Sequence, residues 1–305
     1  MIPPVMISWA QQGEDVVLAR AFEGQTTGFY VDVGAFDPQV ISMTKHFYDL
    51  GWSGINIEPY PPKFEEPRRA RPRDINLQVG LADSDGTRTL YVDPDRPGDA
   101  TMVDAEAGRF PGQVSVPVTT LASVLEEHAG DRTIDFLKID VEGYEREVIV
   151  GNDWSRWRPR ALVVEATRPQ STEESHERWE PLLLDAGYEL ALFDGLNRFY
   201  ARADEPELRR RLSVPANVHD HWKSWQVVQL RGAAAEGVGR TPGVPGPRQD
   251  TGRRDPASAR RGGAAQAGAG CCRWSQDQAA LVAPVSQVQL ARRCWRRCSR
   301  KSTST

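Results

Sequence analysis

The chain has 305 residues, enough for one large domain or two small ones, and a formal net charge of -4 that conceals a split at Arg231. Residues 1–230 carry 24 basic and 38 acidic side chains, a net -14, whereas residues 231–305 carry 14 and 4, a net +10. The acidic part argues against nucleic acid as a partner, since phosphate contacts need clustered Lys and Arg; it holds no cysteine for a disulfide or metal site, and no apolar run long enough for membrane insertion.

The first stretch, MIPPVMISWAQQGED, has neither a basic start nor a continuous apolar segment, so a cytoplasmic protein with an N-terminal segment over 1–27 is expected. From Gly28 to Ala203, short runs of Val, Ile, Leu and Tyr alternate with stretches of helical period, the pattern of βα repeats around a mainly parallel sheet. GFYVDVGA (28–35) predicts the first strand, and Ser42 to Leu50 a helix stopped by Gly51. GINIEP (54–59) and INLQVG (75–80) predict two more strands, and RTLYV and VSVPV within 88–118 an inserted or edge β segment. Leu121, Val124, Leu125 and His128 share one helix face, which makes His128 a surface or packing residue.

IDFLKID (134–140) reads as a buried strand followed by the helix YEREVIV, which ends at Gly151. ALVVEAT (161–167) predicts a fifth strand, and Ser171 with Glu174 fits a capping box for a following helix. Asp194–Gly195 between two strand-like runs predicts a terminal antiparallel hairpin. Beyond Trp225 the chain turns to Arg, Gly, Ala and Pro, so disorder is expected over 231–305. Cys271, Cys272, Cys294 and Cys298 lie there without ligand spacing, and a frame-shifted reading of GC-rich coding sequence would look the same.

The chemistry gathers at predicted strand ends. Asp32 lies in the first strand and Gly34 at its carboxyl edge, where ligands bind in open α/β sheets. Glu58 ends the second strand 26 residues after Asp32, suited to the two ribose hydroxyls of an adenosine. The loop Gly34-Ala35-Phe36-Asp37-Pro38-Gln39 lacks the G-x-G-x-x-G phosphate cradle, and Asp37 would repel a pyrophosphate. An acidic loop suits a ligand carrying an ammonium and a sulfonium instead. The two-residue period sets Phe136, Lys138 and Asp140 on one face, with Asp140, Glu142 and Gly143 at the turn that follows. Lys138 is either a charge partner of Asp140 or Glu165 or a catalytic group. Glu165 ends the fifth strand toward the same cleft, whereas His46 and His176 fall on helices away from strand edges.

In joint order and spacing, SWAQQGEDVVL (8–18), GFYVDVGAFDP (28–38), the Ser42 to Tyr48 segment running into GWSGINIEP (51–59), RPRDINLQVGLADSDG (71–86), IDFLKIDVEGYEREVIVG (134–151) and LVVEA (162–166) resemble the FkbM family of S-adenosylmethionine-dependent methyltransferases. The resemblance covers roughly residues 8–222 and implies a domain over 28–222 with a class I Rossmann-like sheet, mainly parallel and closed by the hairpin. It implies methyl transfer to a hydroxyl of a sugar, glycan or natural-product acceptor. Carried over by position, Asp32, Gly34, Glu58, Gly80, Leu81, Asp83 and Asp140 belong to the cofactor site. Asp140, Glu142 and Glu165 face the acceptor as candidate catalytic residues, and Gln12, Glu14 and Asp15 lie in a segment that folds over the cofactor. Phe36 stands where relatives often carry a smaller or polar residue. Two or three oxygen ligands would suit a divalent metal such as Mg²⁺, but no His cluster supports a transition metal. The alternatives are a nicotinamide-dependent Rossmann oxidoreductase and a non-catalytic cofactor-binding module.

Overall fold

The computed structural model describes residues 5–230; the expected tail over 231–305, with its four cysteines, lies outside the described residues. In chain order the elements are β1 (Met6–Ser8), α1 (Glu14–Ala21), β2 (Phe29–Val33), α2 (Lys45–Asp49), β3 (Ser53–Ile57), α3 (Pro61–Ala70), β4 (Ile75–Leu77), β5 (Gly80–Leu81), β6 (Gly86–Val92) and β7 (Gly112–Thr119). They continue with α4 (Leu121–His128), β8 (Phe136–Ile139), α5 (Glu145–Val150), β9 (Ala161–Glu165), α6 (Glu180–Asp185), β10 (Tyr188–Phe193), β11 (Asn197–Arg202), α7 (Pro206–Leu212) and β12 (Trp222–Ser224).

Seven strands form the main sheet in the order β4-β3-β2-β8-β9-β11-β10. The first five run parallel, and β11 lies antiparallel between β9 and β10. Its central strands are buried on both faces, which is why they read as almost continuous apolar runs. Alternation still decides which way each side chain goes. Phe29, Val31, Val33, Leu137, Ile139, Leu162 and Val164 join Leu121, Leu125 and Ile149 in one core, on the α4–α6 side. Tyr30, Phe136, Val163 and Phe199 join Leu18, Phe47 and Leu212 in the other, on the side of α1, α2 and α7. In that second core the Phe136 ring lies 4.9 Å from Phe47 and 5.7 Å from Tyr30, and truncating it to Ala would cost about 3–5 kcal/mol.

The segment read as one third strand is two. β4 stays in the main sheet as far as Leu77, opposite Ile57, and Pro59 then ends the neighbouring strand. The chain crosses to a separate three-stranded sheet, β5-β7-β6, where Gly80 pairs with Val118. The expected capping box at Ser171 and Glu174 does not form. The Ser171 hydroxyl accepts from the Glu173 N–H in a local turn, while the Glu174 carboxylate is drawn to Arg198 (2.7 Å). His176 therefore sits in a single 3-10 turn, 176–178, ahead of α6. Among the described residues no helix is long and apolar enough to cross a membrane.

Candidate active site

The turn after β2 brings the carboxyl ends of three parallel strands together. Gly34 adopts φ +79°, and a β-carbon there would lie 1.9 Å from the Asp140 carbonyl oxygen. Only glycine lets the β2 and β8 turns approach so closely. The Gly34 and Ala35 N–H groups donate to the Ile57 carbonyl (3.0 and 3.1 Å), which binds this loop to the end of β3. Glu58 follows at that end with its carboxylate 7% exposed, Oε1 accepting from the Tyr60 N–H (2.8 Å) and Oε2 from the Phe36 N–H (2.9 Å). Burial pushes its carboxyl up to about 6, against the opposing pull of those two N–H groups. Each oxygen keeps a lone pair for a further donor. Phe36 holds a left-handed backbone (φ +47°), the strained form that clusters at ligand clamps.

On the face of the sheet shared with Tyr30 and Phe136, the inward residues turn polar one step before the edge. Asp32 stands opposite Lys138 in the neighbouring strand. Lys138 Nζ donates to the Gly34 carbonyl (2.6 Å) and forms ion pairs with Asp32 Oδ1 (3.2 Å) and Asp140 Oδ2 (3.5 Å). Burial works against the ammonium, but the two carboxylates outweigh it and raise its pKa. The other Asp32 oxygen accepts from Thr44 Oγ1 (2.8 Å), and Thr44 in turn accepts from the buried Arg71 (2.5 Å).

The β8 and β9 edges are crowded with acids. The Asp140 side chain is 36% exposed and Glu142 is half-buried, while Glu165 and Glu145 are 8% and 2% exposed. Burial and the charges of Asp140, Glu142 and Glu145 hold Glu165 well above the usual carboxylate range. Glu165 Oε2 is buried without a hydrogen-bond partner. Glu145 rises to about 7, through burial first, although it accepts from the Gly143 N–H (2.9 Å). Glu142 takes the left-handed backbone (φ +53°), and its carbonyl accepts from Thr101 Oγ1 (2.8 Å).

Asp140 and Lys138 line a small cleft whose opposite wall comes from the N-terminal segment and the hairpin, with Gln11, Glu14 and Asn197 among its residues. Glu14 is 3% exposed; it accepts from the Gln12 N–H (2.8 Å) and Asn197 Nδ2 (3.0 Å), and burial with Asp194 nearby raises it to about 8. Asp15 is fully buried and turned away, accepting from Ser8 Oγ (2.6 Å) and the Trp9 N–H (2.8 Å).

Of the residues singled out from the sequence, Asp32, Gly34 and Asp140 meet around Lys138, Glu142 and Glu165 lie at the same acidic edge, and Glu58 joins them through the Gly34–Phe36 loop. Gly80 and Leu81 are instead packed in the second sheet, Gly80 against Val118 and Met102. Asp83 lies at the surface beside Arg88 (3.8 Å) and Ser84. Thr44, Arg71, Glu145 and Asn197 escaped the sequence reading. Their partners are distant along the chain, and only the period-two alternation around Lys138 hinted at a polar face. Among the described residues no group of three or more His, Cys, Asp or Glu side chains is arranged to hold a metal ion.

Comparison with known proteins identifies the family. Residues 32–190, just over half of the chain, match the methyltransferase FkbM domain. A curated relative, methyltransferase sdnD of Sordaria araneosa, is 35% identical over 141 residues, which is 37% of this chain and 53% of the relative. The chain thus spans about half the length of that relative. The matched residues run from Asp32 in β2 through β8 and β9 into β10, so they contain the loop, the acidic edge and Lys138; the chain belongs to the FkbM methyltransferase family.

Proposed function

We propose that the protein transfers the methyl group of S-adenosylmethionine to a hydroxyl oxygen of a sugar, glycan or natural-product acceptor, on a sheet of the class I methyltransferase type. The observation that carries this reading is the contrast along the carboxyl edge of the main sheet between Glu58, anchored by two N–H groups after β3, and Asp140, open to the cleft after β8. The sheet order and the antiparallel β11 support the class I reading, and the acidic surroundings fit a cationic ligand better than a pyrophosphate. Membership of a methyltransferase family sets aside the nicotinamide alternative.

When bound, S-adenosylmethionine supplies a methyl group made electrophilic by its sulfonium. In this reading Glu58 accepts the ribose hydroxyls with its remaining lone pairs, and the Gly34–Phe36 backbone forms the floor beside it. Asp140 accepts the proton of the acceptor hydroxyl, a role typically worth about 10²–10⁴ in rate. Lys138 holds the Asp140 carboxylate toward the cleft. Glu165 keeps its own proton and donates to Asp140, because closely spaced carboxyl groups cannot all ionise. Glu142 contributes charge to that edge. The wall of Gln11, Glu14 and Asn197 covers the cleft and excludes water.

Calorimetric titration of the full chain with S-adenosylhomocysteine tests the cofactor, with NAD in parallel and Glu58→Ala as control. Micromolar binding that weakens at least about tenfold in the variant is expected for two lost charge-assisted hydrogen bonds. Binding of NAD alone would sink the reading. Turnover with tritiated methyl donor across a panel of polyol and macrolide acceptors then separates an enzyme from a binding module.

A further inference from the structure

Thr44 precedes α2, where a threonine hydroxyl ordinarily accepts a backbone N–H and caps the helix. It makes no such bond here. Its Oγ1 donates to Asp32 Oδ2 (2.8 Å) and accepts from Arg71 Nη1 (2.5 Å). The direction is forced, since a guanidinium can only donate and the single hydroxyl proton is left for Asp32. Arg71 is 2% exposed, and its Nη2 donates to the Pro38 carbonyl and Ser42 Oγ, both at 2.6 Å. Between those two acceptors the chain turns through Ile41 in the left-handed region (φ +58°), a β-branched residue for which that backbone costs about 1–3 kcal/mol. A buried arginine and a strained turn therefore converge on one hydroxyl.

Beyond Asp32 stands Lys138, whose ammonium is shared between Asp32 (3.2 Å) and Asp140 (3.5 Å). How strongly Asp32 holds it decides how much positive charge is left for Asp140. With Thr44 donating to one oxygen of Asp32, the ammonium need serve only the other. Without that hydroxyl, Asp32 is a half-satisfied buried carboxylate and draws Lys138 to itself. We propose that Thr44 and Arg71 are positioning residues for Asp140, acting through Asp32 and Lys138. The consequence for catalysis rests on Asp140 being the base; the coupling itself does not. The charged and titratable groups facing Asp140 are Lys138 on β8, Glu142 in the turn, Glu145 on α5, Glu165 on β9 and, across the cleft, Glu14 on α1. Of these Lys138 is the cation, so its withdrawal leaves Asp140 among acids alone.

The test follows the carboxyl carbons of isotopically labelled aspartate by NMR against pH in the full chain, with Asp140 assigned from the Asp140→Asn spectrum. In Thr44→Val and Arg71→Met the Asp140 midpoint is expected to rise by at least about half a unit. Thr44→Ser, which keeps the hydroxyl, returns it to the wild-type value. Asp135, bonded to the Phe29 N–H and Arg160 at the start of β8, stays unmoved in every variant. An unchanged Asp140 midpoint in Thr44→Val, an equal rise in Thr44→Ser, or a matching shift of Asp135 overturns the proposal. Should Arg71→Met fail to fold, the two Thr44 variants carry the test. Methyl transfer that survives in Asp140→Asn removes the base assignment and leaves this coupling standing; an unmoved midpoint does the reverse.

Discussion

Buried carboxylates are handled in two ways along the carboxyl edge of the main sheet. On the β2–β3 side the acids are met by donors and a cation: Thr44 donates to Asp32, which also forms an ion pair with the Lys138 ammonium that Asp140 shares, and the Phe36 and Tyr60 N–H groups donate to Glu58, which rises only to about 6. On the β8–β9 side Glu145 and Glu165 press against Asp140, the first raised to about 7 and the second held well above the usual carboxylate range by burial and its acidic neighbours. Donors fix a charge and with it a shape, whereas crowding stores protons near neutral pH. The first side suits holding a ligand, and the second suits moving a proton.

Lys138 is the hinge of that comparison, and its loss has the largest expected effect on stability. Lys138→Met leaves Asp32 charged and half-satisfied in the interior, a change that typically costs about 3–5 kcal/mol, read as a lowered urea midpoint at pH 7. A loss below about 1 kcal/mol would mean that another donor had replaced the ammonium at Asp32. Asp140→Asn sharpens the contrast from the other side: kcat drops by about 10²–10⁴ while S-adenosylhomocysteine affinity stays within a few-fold.

In the proposed role Glu58 accepts hydrogen bonds from two ribose hydroxyls, and a proton on either oxygen weakens that pair. Because its carboxyl titrates at about 6, S-adenosylhomocysteine affinity is expected to fall roughly tenfold between pH 7 and pH 5, by calorimetry. Glu58→Gln should bind weakly at both. The smallest effect belongs to Glu14, raised in the folded chain from 4.5 to about 8. The folded state holds that proton more tightly than the unfolded one, so stability is greatest in acid and declines as the pH climbs from about 4.5 to about 8. Glu14→Gln cannot ionise, and its melting temperature should fall by a few degrees less than wild type between pH 6 and pH 9.

Local pattern carried much of this arrangement into the sequence. The alternation in GFYVDVGA and IDFLKID set Asp32 and Lys138 on the same face, and Gly34 and Asp194–Gly195 marked turns because few residues tolerate the backbone those turns need. Long-range polar pairing was illegible. Arg71 is 27 residues from Thr44, and nothing near Thr44 says that its hydroxyl will leave its own helix. The capping box at Ser171 failed for the same reason, because Arg198 competed for Glu174 from the hairpin. The third strand was read too long because apolar alternation continues past Leu77 while its partner strand does not.

The short parallel pairing of β1 with β12 ties the start of the described chain to its end. Trp9 stacks on Trp225 at 6.2 Å, and Gln11 and Glu14 lie just beyond. The N-terminal wall of the cleft is held partly by earlier residues, Trp9 accepting from the Ser42 N–H (2.9 Å) and Glu14 from Asn197 (3.0 Å), and completes its pairing only with the last described part of the chain. A chain that stops before Trp222 therefore keeps the main sheet and the Ser42 and Asn197 contacts of that wall, but lacks the strand and the indole ring that pair with it.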